Sequence, residues 1–214
     1  MKKYFLILII LIFGVFIWYN SNDEIEPNEK TVKTDLPIKF TNSNYCKDFN
    51  LLDKFVIYVD FNKPRNKKRL WVIEKGHVIA TSYTSHGCRS ASFSNSIPKR
   101  FSNRTGSNKS SLGIYRIYPI RKMNPGVIHS CPCKVYLKNK ECNHNGRKFP
   151  INGLESTNDN ALNRGVVIHT SHYVSENGCR GNSDGCFVVS PEVFELIQRK
   201  KYLLFKKCYL LALK

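Results

Sequence analysis

Short apolar runs separated by polar turns recur from about residue 45 to the end of the chain. Runs rich in Val, Ile, Tyr and Phe are typical of β-strands, because branched and aromatic side chains pack well on a pleated surface. Lys75-Gly76 lies between two such runs and indicates a hairpin. The pattern predicts strands at Phe55–Asp60, Arg69–Glu74, His77–Tyr83, Gly113–Tyr118, Gly165–His169, Cys186–Val189, Tyr202–Phe205 and Cys208–Leu213.

One segment near the C-terminus has the signals of a helix. Ser190 is a good N-cap, Pro191 suits the first helical position, and Glu192 favours the positive end of the helix dipole. The apolar face that follows consists of Val193, Phe194 and Ile197. The sequence therefore predicts one mostly-β domain with one or two short helices.

The N-terminus carries a different pattern. Lys2 and Lys3 precede an unbroken apolar run from Tyr4 to Tyr19. Such a run is typical of an export signal, and it falls short of the ~20 apolar residues that comfortably span a bilayer. We expect residues 1–19 to form an uncleaved signal anchor in the inner membrane, with a cleaved signal peptide as the alternative. Residues 20–44 are polar and predict a linker, which leaves 45–214 as the folded, periplasmic or cell-envelope domain.

The chain is strongly basic. Lys and Arg number 34 against 16 acidic residues, which gives a net charge of +18. Such an excess predicts an acidic partner: nucleic acid, anionic lipid or a carboxylate-rich polymer. Because the N-terminus predicts export, we expect no nucleic-acid partner.

Eight cysteines lie at positions 46, 88, 131, 133, 142, 179, 186 and 208. In an exported protein most of them are expected to form disulfides, although the sequence does not give the pairing. The cluster of Cys131, Cys133, Cys142 and His144 has two interpretations. It is either a zinc knuckle or a local disulfide, and an oxidising compartment favours the disulfide.

The densest candidate for chemistry is formed by two segments, 165–170 and 183–189. His169 ends one apolar strand, and Cys186 precedes another. A thiol nucleophile needs a base within hydrogen-bond reach, which His169 would supply if the strands were neighbours. Gly185 would allow a tight turn whose N–H groups form an oxyanion hole. An imidazolium beside the sulfur would lower the thiol pKa. A buried or disulfide-bonded Cys186 and a structural His169 fit the spacing equally well.

Residues 165–191 resemble the signature of the L,D-transpeptidase (YkuD-type) catalytic domain, in which a histidine on a strand is followed by Ser/Thr-His-Gly-Cys. The resemblance extends to separated motifs in the same order over roughly residues 55–205. These motifs are Ser85-His86-Gly87, Phe93-Ser94-Asn95, Gly106-Ser107-Asn108-Lys109-Ser110-Ser111-Leu112-Gly113, Asn152-Gly153-Leu154, Asn158–Arg164, Tyr173-Val174-Ser175 and Ser190-Pro191-Glu192-Val193.

The resemblance implies a sandwich- or barrel-like β-fold and an enzyme that needs no cofactor or metal. We expect the chain to be a monomer that contacts peptidoglycan stem peptides. Cys186 would attack the amide before the terminal D-Ala of a peptidoglycan stem tetrapeptide, and His169 would be the base. The carbonyl of Thr170 would orient the imidazole, and the N–H groups of Gly185 and Cys186 would hold the oxyanion. The candidate substrate-binding residues are His86, Tyr173, Asn182, Ser183 and Asp184.

Two residues depart from the family pattern, and the second departure concerns recognition of the substrate carboxylate. Asp184 stands where the family often has histidine, and Asn182 stands where this branch often has arginine. His172 is a rival base, and Cys88 is expected to be structural and disulfide-bonded. An L,D-carboxypeptidase and a non-catalytic wall-binding module remain alternatives. A papain-like hydrolase is disfavoured, because its cysteine precedes its histidine.

Overall fold

The computed structural model describes residues 35–92, 97–119, 148–200 and 207–214. Within these residues, strands dominate. The helices are α1 (Ile38–Thr41), α2 (Asn44–Asp48) and α3 (Pro191–Arg199), with a 3-10 helix at Leu51–Asp53. The strands are β1 (Phe55–Asp60), β2 (Leu70–Glu74), β3 (His77–Ser82), β4 (Gly113–Ile117), β5 (Phe149–Gly153), β6 (Val167–Thr170), β7 (Val174–Ser175), β8 (Gly178–Cys179), β9 (Phe187–Val189) and β10 (Cys208–Leu213).

Eight of these strands form one mixed sheet in the order β3-β2-β1-β10-β4-β5-β6-β9, and β7 pairs with β8 in a separate hairpin. Two neighbouring pairs are parallel, β1 with β10 and β6 with β9. The sheet is nearly closed and barrel-like, which confirms the prediction of a mostly-β fold with few helices.

The central strands bury both faces, and this explains their unbroken apolar runs. Along β1, Phe55, Ile57 and Val59 point into the main core. The alternate residues Val56 and Tyr58 belong to a second cluster on the opposite face. The second cluster is covered by the N-terminal helices, which contribute Phe40, Cys46 and Leu51.

Within the described residues, the predicted strands appear at or close to their predicted bounds, and helix α3 begins where its capping signals placed it. The Ser190 hydroxyl accepts a hydrogen bond from the Val193 N–H at 3.5 Å. Strand β5 was not predicted. It contains Pro150, which cannot donate to a sheet and therefore argues against a central strand. The Pro150 carbonyl nevertheless accepts the Tyr118 N–H at 2.9 Å.

The predicted linker ends earlier than residue 44. Helix α1 lies inside it, and the side chain of Phe40 is fully buried. The Phe40 ring packs against Tyr58 with 5.5 Å between ring centroids. A four-residue helix with one apolar anchor leaves too weak a pattern to be recognised in the sequence.

The expectation of disulfides is wrong for the described cysteines, because Cys46, Cys88, Cys179, Cys186 and Cys208 are all free. Cys46, Cys179 and Cys208 are buried in three different apolar clusters and are thereby kept apart. The thiol of Cys88 is exposed rather than disulfide-bonded.

Several predictions fall on residues outside the described ranges. They concern the signal anchor, most of the linker, the strand at Tyr202–Phe205 and the cluster of Cys131, Cys133, Cys142 and His144. Among the helices that are described, none is long and apolar enough to cross a membrane.

Candidate active site

The parallel pairing of β6 with β9 brings the two candidate reactive residues to one face of the sheet. Ile168 lies opposite Phe187, and His169 lies opposite Val188. Ile168 and Phe187 point into the main core. Side chains alternate along a strand, so His169 and Cys186 lie together on the other face.

The register of β6 with β9 places Cys186 opposite Val167, the first residue of β6. Its thiol lies 3.9 Å from the Gly165 carbonyl oxygen and within hydrogen-bond reach of the Val167 N–H. Burial raises the pKa of this thiol, and the Asp184 carboxylate raises it further. The Val167 N–H and the cations Lys148 and Arg164 oppose the shift without reversing it.

His169 is held by the backbone that follows it. Its Nδ1 lies 2.8 Å from the Thr170 carbonyl oxygen, which can only accept a hydrogen bond. Burial lowers the pKa of the imidazole, Lys148 lowers it further, and the Thr170 carbonyl partly opposes the shift. A neutral ring with its proton on Nδ1 leaves the lone pair on Nε2 free to take a proton.

The expected low thiol pKa is therefore wrong for the resting protein, because burial stabilises both neutral forms. Within the described residues, the thiol and the imidazole each have a backbone partner and are not hydrogen-bonded to each other. Cys186 is level with Val167, two residues before His169, which is roughly 7 Å along a strand. Such hydrogen bonds are often loose in sites without substrate and tighten when substrate binds.

Gly185 and Ser183 shape the turn that carries Cys186. Gly185 has φ +122°, and a Cβ there would lie 2.8 Å from the Lys109 carbonyl oxygen. Its N–H donates to the Ser183 hydroxyl at 3.2 Å, and that hydroxyl donates to the Cys186 carbonyl at 2.7 Å. Ser183 is buried. In this conformation Ser183 supports the turn, and the Gly185 N–H is occupied instead of pointing at an oxyanion.

The Ser-His-Gly-Cys segment at 85–88 runs beside this turn. The Ser183 N–H donates to the His86 carbonyl at 2.9 Å, and the Cys88 N–H donates to the Ser183 carbonyl at 2.7 Å. His86 is only 1% exposed. His86, a predicted substrate-binding residue, is thus buried, and its backbone braces the turn.

The other predicted substrate-binding residues lie around the turn. Asn182 is exposed, and its Oδ1 accepts a hydrogen bond from Arg65 at 2.6 Å. Asp184 is exposed, with its Oδ1 3.8 Å from the Cys88 sulfur. Tyr173 is half-buried, and its pKa is raised mainly by burial and also by the nearby Cys186.

His172 is exposed, and its ring packs edge-on against Tyr173 at 5.5 Å between centroids. Unlike His169, it lies outside β6 and beyond the paired register with β9. The rival base is therefore less well placed than His169 to meet Cys186.

Arg164 contributes to the site and was not singled out from the sequence. Its guanidinium donates to the carbonyls of Ser102 at 2.9 Å and Lys109 at 2.6 Å, and to the hydroxyls of Ser111 and Ser107. Its charge also partly opposes the rise in the pKa of the Cys186 thiol. An arginine that precedes a buried strand is a faint signal, since only the fold reveals its partners.

The fold and the site define a mostly-β domain with a histidine and a cysteine on one face of two parallel strands. The sequence profile of the L,D-transpeptidase catalytic domain (YkuD_2) matches residues 29–127 and 129–205. The chain belongs to this family.

The solved structures to which this chain is similar include L,D-transpeptidases. That of Xylanimonas cellulosilytica is 17% identical with a TM-score of 0.41, over 75% of this chain and 61% of that one. A mutant L,D-transpeptidase of Enterococcus faecium is 16% identical with a TM-score of 0.41, over 75% and 50%. The helical cell shape determining protein Pgp2 of Campylobacter jejuni is 13% identical with a TM-score of 0.41, over 78% and 54%.

The chain thus spans between about half and three-fifths of the length of these structures. None of the curated protein sequences matches it.

Proposed function

We propose that this domain is a peptidoglycan L,D-transpeptidase in which Cys186 is the nucleophile and His169 is the general base. The observation that carries the proposal is the parallel pairing of β6 with β9, which puts the imidazole and the thiol on one face. Membership of the L,D-transpeptidase family supports the same reaction class. The substrate would be a stem tetrapeptide that ends in D-Ala.

The reaction begins with a neutral pair. His169 Nε2 takes the thiol proton as Cys186 Sγ bonds to the carbonyl carbon of the amide before D-Ala. The tetrahedral intermediate collapses when the imidazolium gives its proton to the amine of D-Ala, and the C–N bond breaks. An acyl thioester remains on Cys186. An amine on a second stem then attacks the thioester carbonyl and gives a proton to His169. The C–S bond breaks as the new amide bond forms, and the imidazolium returns the proton to the Cys186 sulfur.

The backbone around the pair would orient these steps. The Thr170 carbonyl accepts from Nδ1 and so aims Nε2 at the proton. The Cys186 N–H is the nearest candidate for the oxyanion. The Gly185 N–H could join it only by leaving the Ser183 hydroxyl, which it contacts in the resting turn.

The setting of the enzyme is also part of the proposal. The net charge of +18 suits a polymer that bears carboxylates. We place the domain in the cell envelope as a monomer, held at the inner membrane by residues 1–19. Asn182 and Asp184, exposed beside the nucleophile, would contact the stem peptide.

Mass spectrometry of purified muropeptides tests the reaction. The unmodified chain is expected to release D-Ala from tetrapeptide stems and to form cross-linked dimers, and Cys186→Ala is expected to do neither. Cys88→Ala is the matched control, because it removes an exposed neighbouring thiol that the mechanism does not use. It should retain most of the activity.

Each other outcome has a defined meaning. Activity that survives in Cys186→Ala would move the nucleophile elsewhere and refute the proposal. Tripeptides without dimers would make the enzyme an L,D-carboxypeptidase, with water in place of the amine. No reaction by folded, reduced protein would favour a wall-binding module.

A further inference from the structure

A pocket of about 430 Å³, whose lining includes neither Cys186 nor His169, lies between the turn that follows Cys88 and the loop 100–109. Its cationic lining residues are Arg89, Arg100, Arg104 and Lys109. We call this cavity the arginine pocket. We propose that the arginine pocket binds a phosphate group, a function that goes beyond the proposed catalysis.

Charge is the first observation that supports this site. No acidic side chain is among its lining residues. In the part of the chain that the structure describes, the ion pairs are Lys39–Asp60, Arg199–Glu195 and Lys200–Glu74, so none of the four pocket cations is paired. Like charges around one cavity repel each other, and a bound anion relieves that repulsion.

Hydroxyl groups provide the second observation. The pocket is also lined by Ser102, Thr105 and Ser107. The Ser102 hydroxyl already accepts the Arg104 N–H at 3.2 Å, and the Ser107 hydroxyl accepts the Lys109 N–H at 3.4 Å. The Thr105 hydroxyl accepts from the side-chain amide of Asn160 at 3.2 Å. A hydroxyl that accepts in this way keeps its own proton to donate to a ligand.

The frame of the pocket is braced from behind. The buried Ser90 accepts the N–H groups of Lys99 and Arg100 with its carbonyl, at 2.8 and 3.0 Å. The Ser90 hydroxyl accepts the Ser110 N–H at 2.9 Å. Arg164 holds the far side through the Ser102 and Lys109 carbonyls. A frame that is ordered in advance has less entropy to lose when a ligand binds.

The donor set favours phosphate over carboxylate. Three arginines, one lysine and three residues that carry hydroxyl groups line a single cavity. A carboxylate offers two oxygens in one plane, whereas a phosphate group offers three or four oxygens in a tetrahedron that donors can approach from several sides. Phosphate therefore satisfies more of this lining at once.

Calorimetric titration of the full-length chain tests the proposal, with inorganic phosphate and glycerol 3-phosphate as probes. The Cys186→Ala background is used throughout, so that the outcome does not depend on the catalytic proposal. We expect one bound equivalent, and an affinity at least about tenfold weaker in the triple variant Arg89→Ser, Arg100→Ser, Arg104→Ser. Tighter binding of the ester would identify an esterified phosphate as the ligand, and tighter binding of inorganic phosphate would identify the free ion.

The matched control removes three exposed cations elsewhere, as Lys47→Ser, Lys67→Ser, Lys68→Ser. It should change the affinity by less than about twofold, because long-range charge is screened in salt. Equal weakening by both triple variants, equally tight binding of citrate, or no binding of either probe would overturn the proposal. If the arginine triple variant does not fold, Arg104→Glu alone should still weaken binding by at least about tenfold.

Discussion

At the scale of single residues, burial shifts the two candidate catalytic groups in opposite directions. It lowers the pKa of His169 and raises the pKa of Cys186, because in each case desolvation penalises the charged form. These directions fit the general-base mechanism proposed above better than a preformed ion pair. In that proposal, the thiolate would form only as the substrate is attacked.

Alkylation of Cys186 by iodoacetamide tests this protonation state. The pH midpoint of alkylation is expected to lie above that of free cysteine under the same conditions, since burial and Asp184 both disfavour the thiolate. Asp184→Asn removes one negative charge and should lower the midpoint. Peptide mass spectrometry separates Cys186 from the other cysteines. A midpoint well below that of free cysteine would instead show an ion pair.

At the scale of elements, the turn before β9 is packed between two other segments. The segment 85–88 pairs with it through Gly87 and Ser183. On the other side, the Lys109 carbonyl and the Arg164 guanidinium occupy the space that a Cβ on Gly185 would need. The position of the candidate nucleophile therefore depends on segments distant in the sequence.

Gly185→Ala is expected to disrupt this packing. The added Cβ would meet the Lys109 carbonyl at 2.8 Å, and the φ of +122° is itself strained for alanine. We expect a loss of at least about 2 kcal/mol in the free energy of unfolding and at least a tenfold loss of kcat. Denaturant unfolding and muropeptide turnover measure the two effects.

Gly106→Ala is the matched control for stability. Gly106 also has a positive φ, of +71°, but a Cβ there would meet nothing within 4 Å. It should cost about 1 kcal/mol, from the left-handed backbone alone, and leave kcat nearly unchanged. Equal effects of the two substitutions would contradict the role given to the Gly185 contacts.

At the scale of the whole molecule, the fold depends on covering both faces of one sheet. The N-terminal helices close the outer face over Tyr58 and Trp71, and Phe40 is one of their fully buried anchors. Helix α1, which lies before residue 45, is therefore part of the folded domain rather than a spacer.

Phe40→Ala tests this boundary. Loss of a fully buried aromatic side chain should lower the free energy of unfolding by about 3–5 kcal/mol, through lost burial and a residual cavity. Ile38→Ala, on the same helix, should cost less than about 0.5 kcal/mol, because Ile38 is 76% exposed. Thermal and denaturant unfolding of both variants measures the two losses in the free energy of unfolding. Similar losses in the two variants would show that helix α1 is not anchored by burial.

Local pattern was sufficient for much of the fold. β1 and the hairpin β2–β3 follow from apolar runs and a turn, and helix α3 follows from Ser190 and Pro191, since these signals act between near neighbours in sequence. Strand β5 and helix α1 were not recognised. Pro150 argues against a strand at β5, and helix α1 is too short to give a clear pattern. Both elements are stabilised by packing, which the sequence pattern does not record.

The sequence by itself determined the class of the domain, its family resemblance, and the identity of His169 and Cys186 as the candidate pair. Only the tertiary structure decided that burial favours the neutral form of both groups, that His86 lies buried behind the turn, and that Arg164 contacts the loop that lines the arginine pocket. The reason is physical. Periodicity records which face of a strand is apolar, whereas desolvation and charge depend on neighbours that are far apart in the chain.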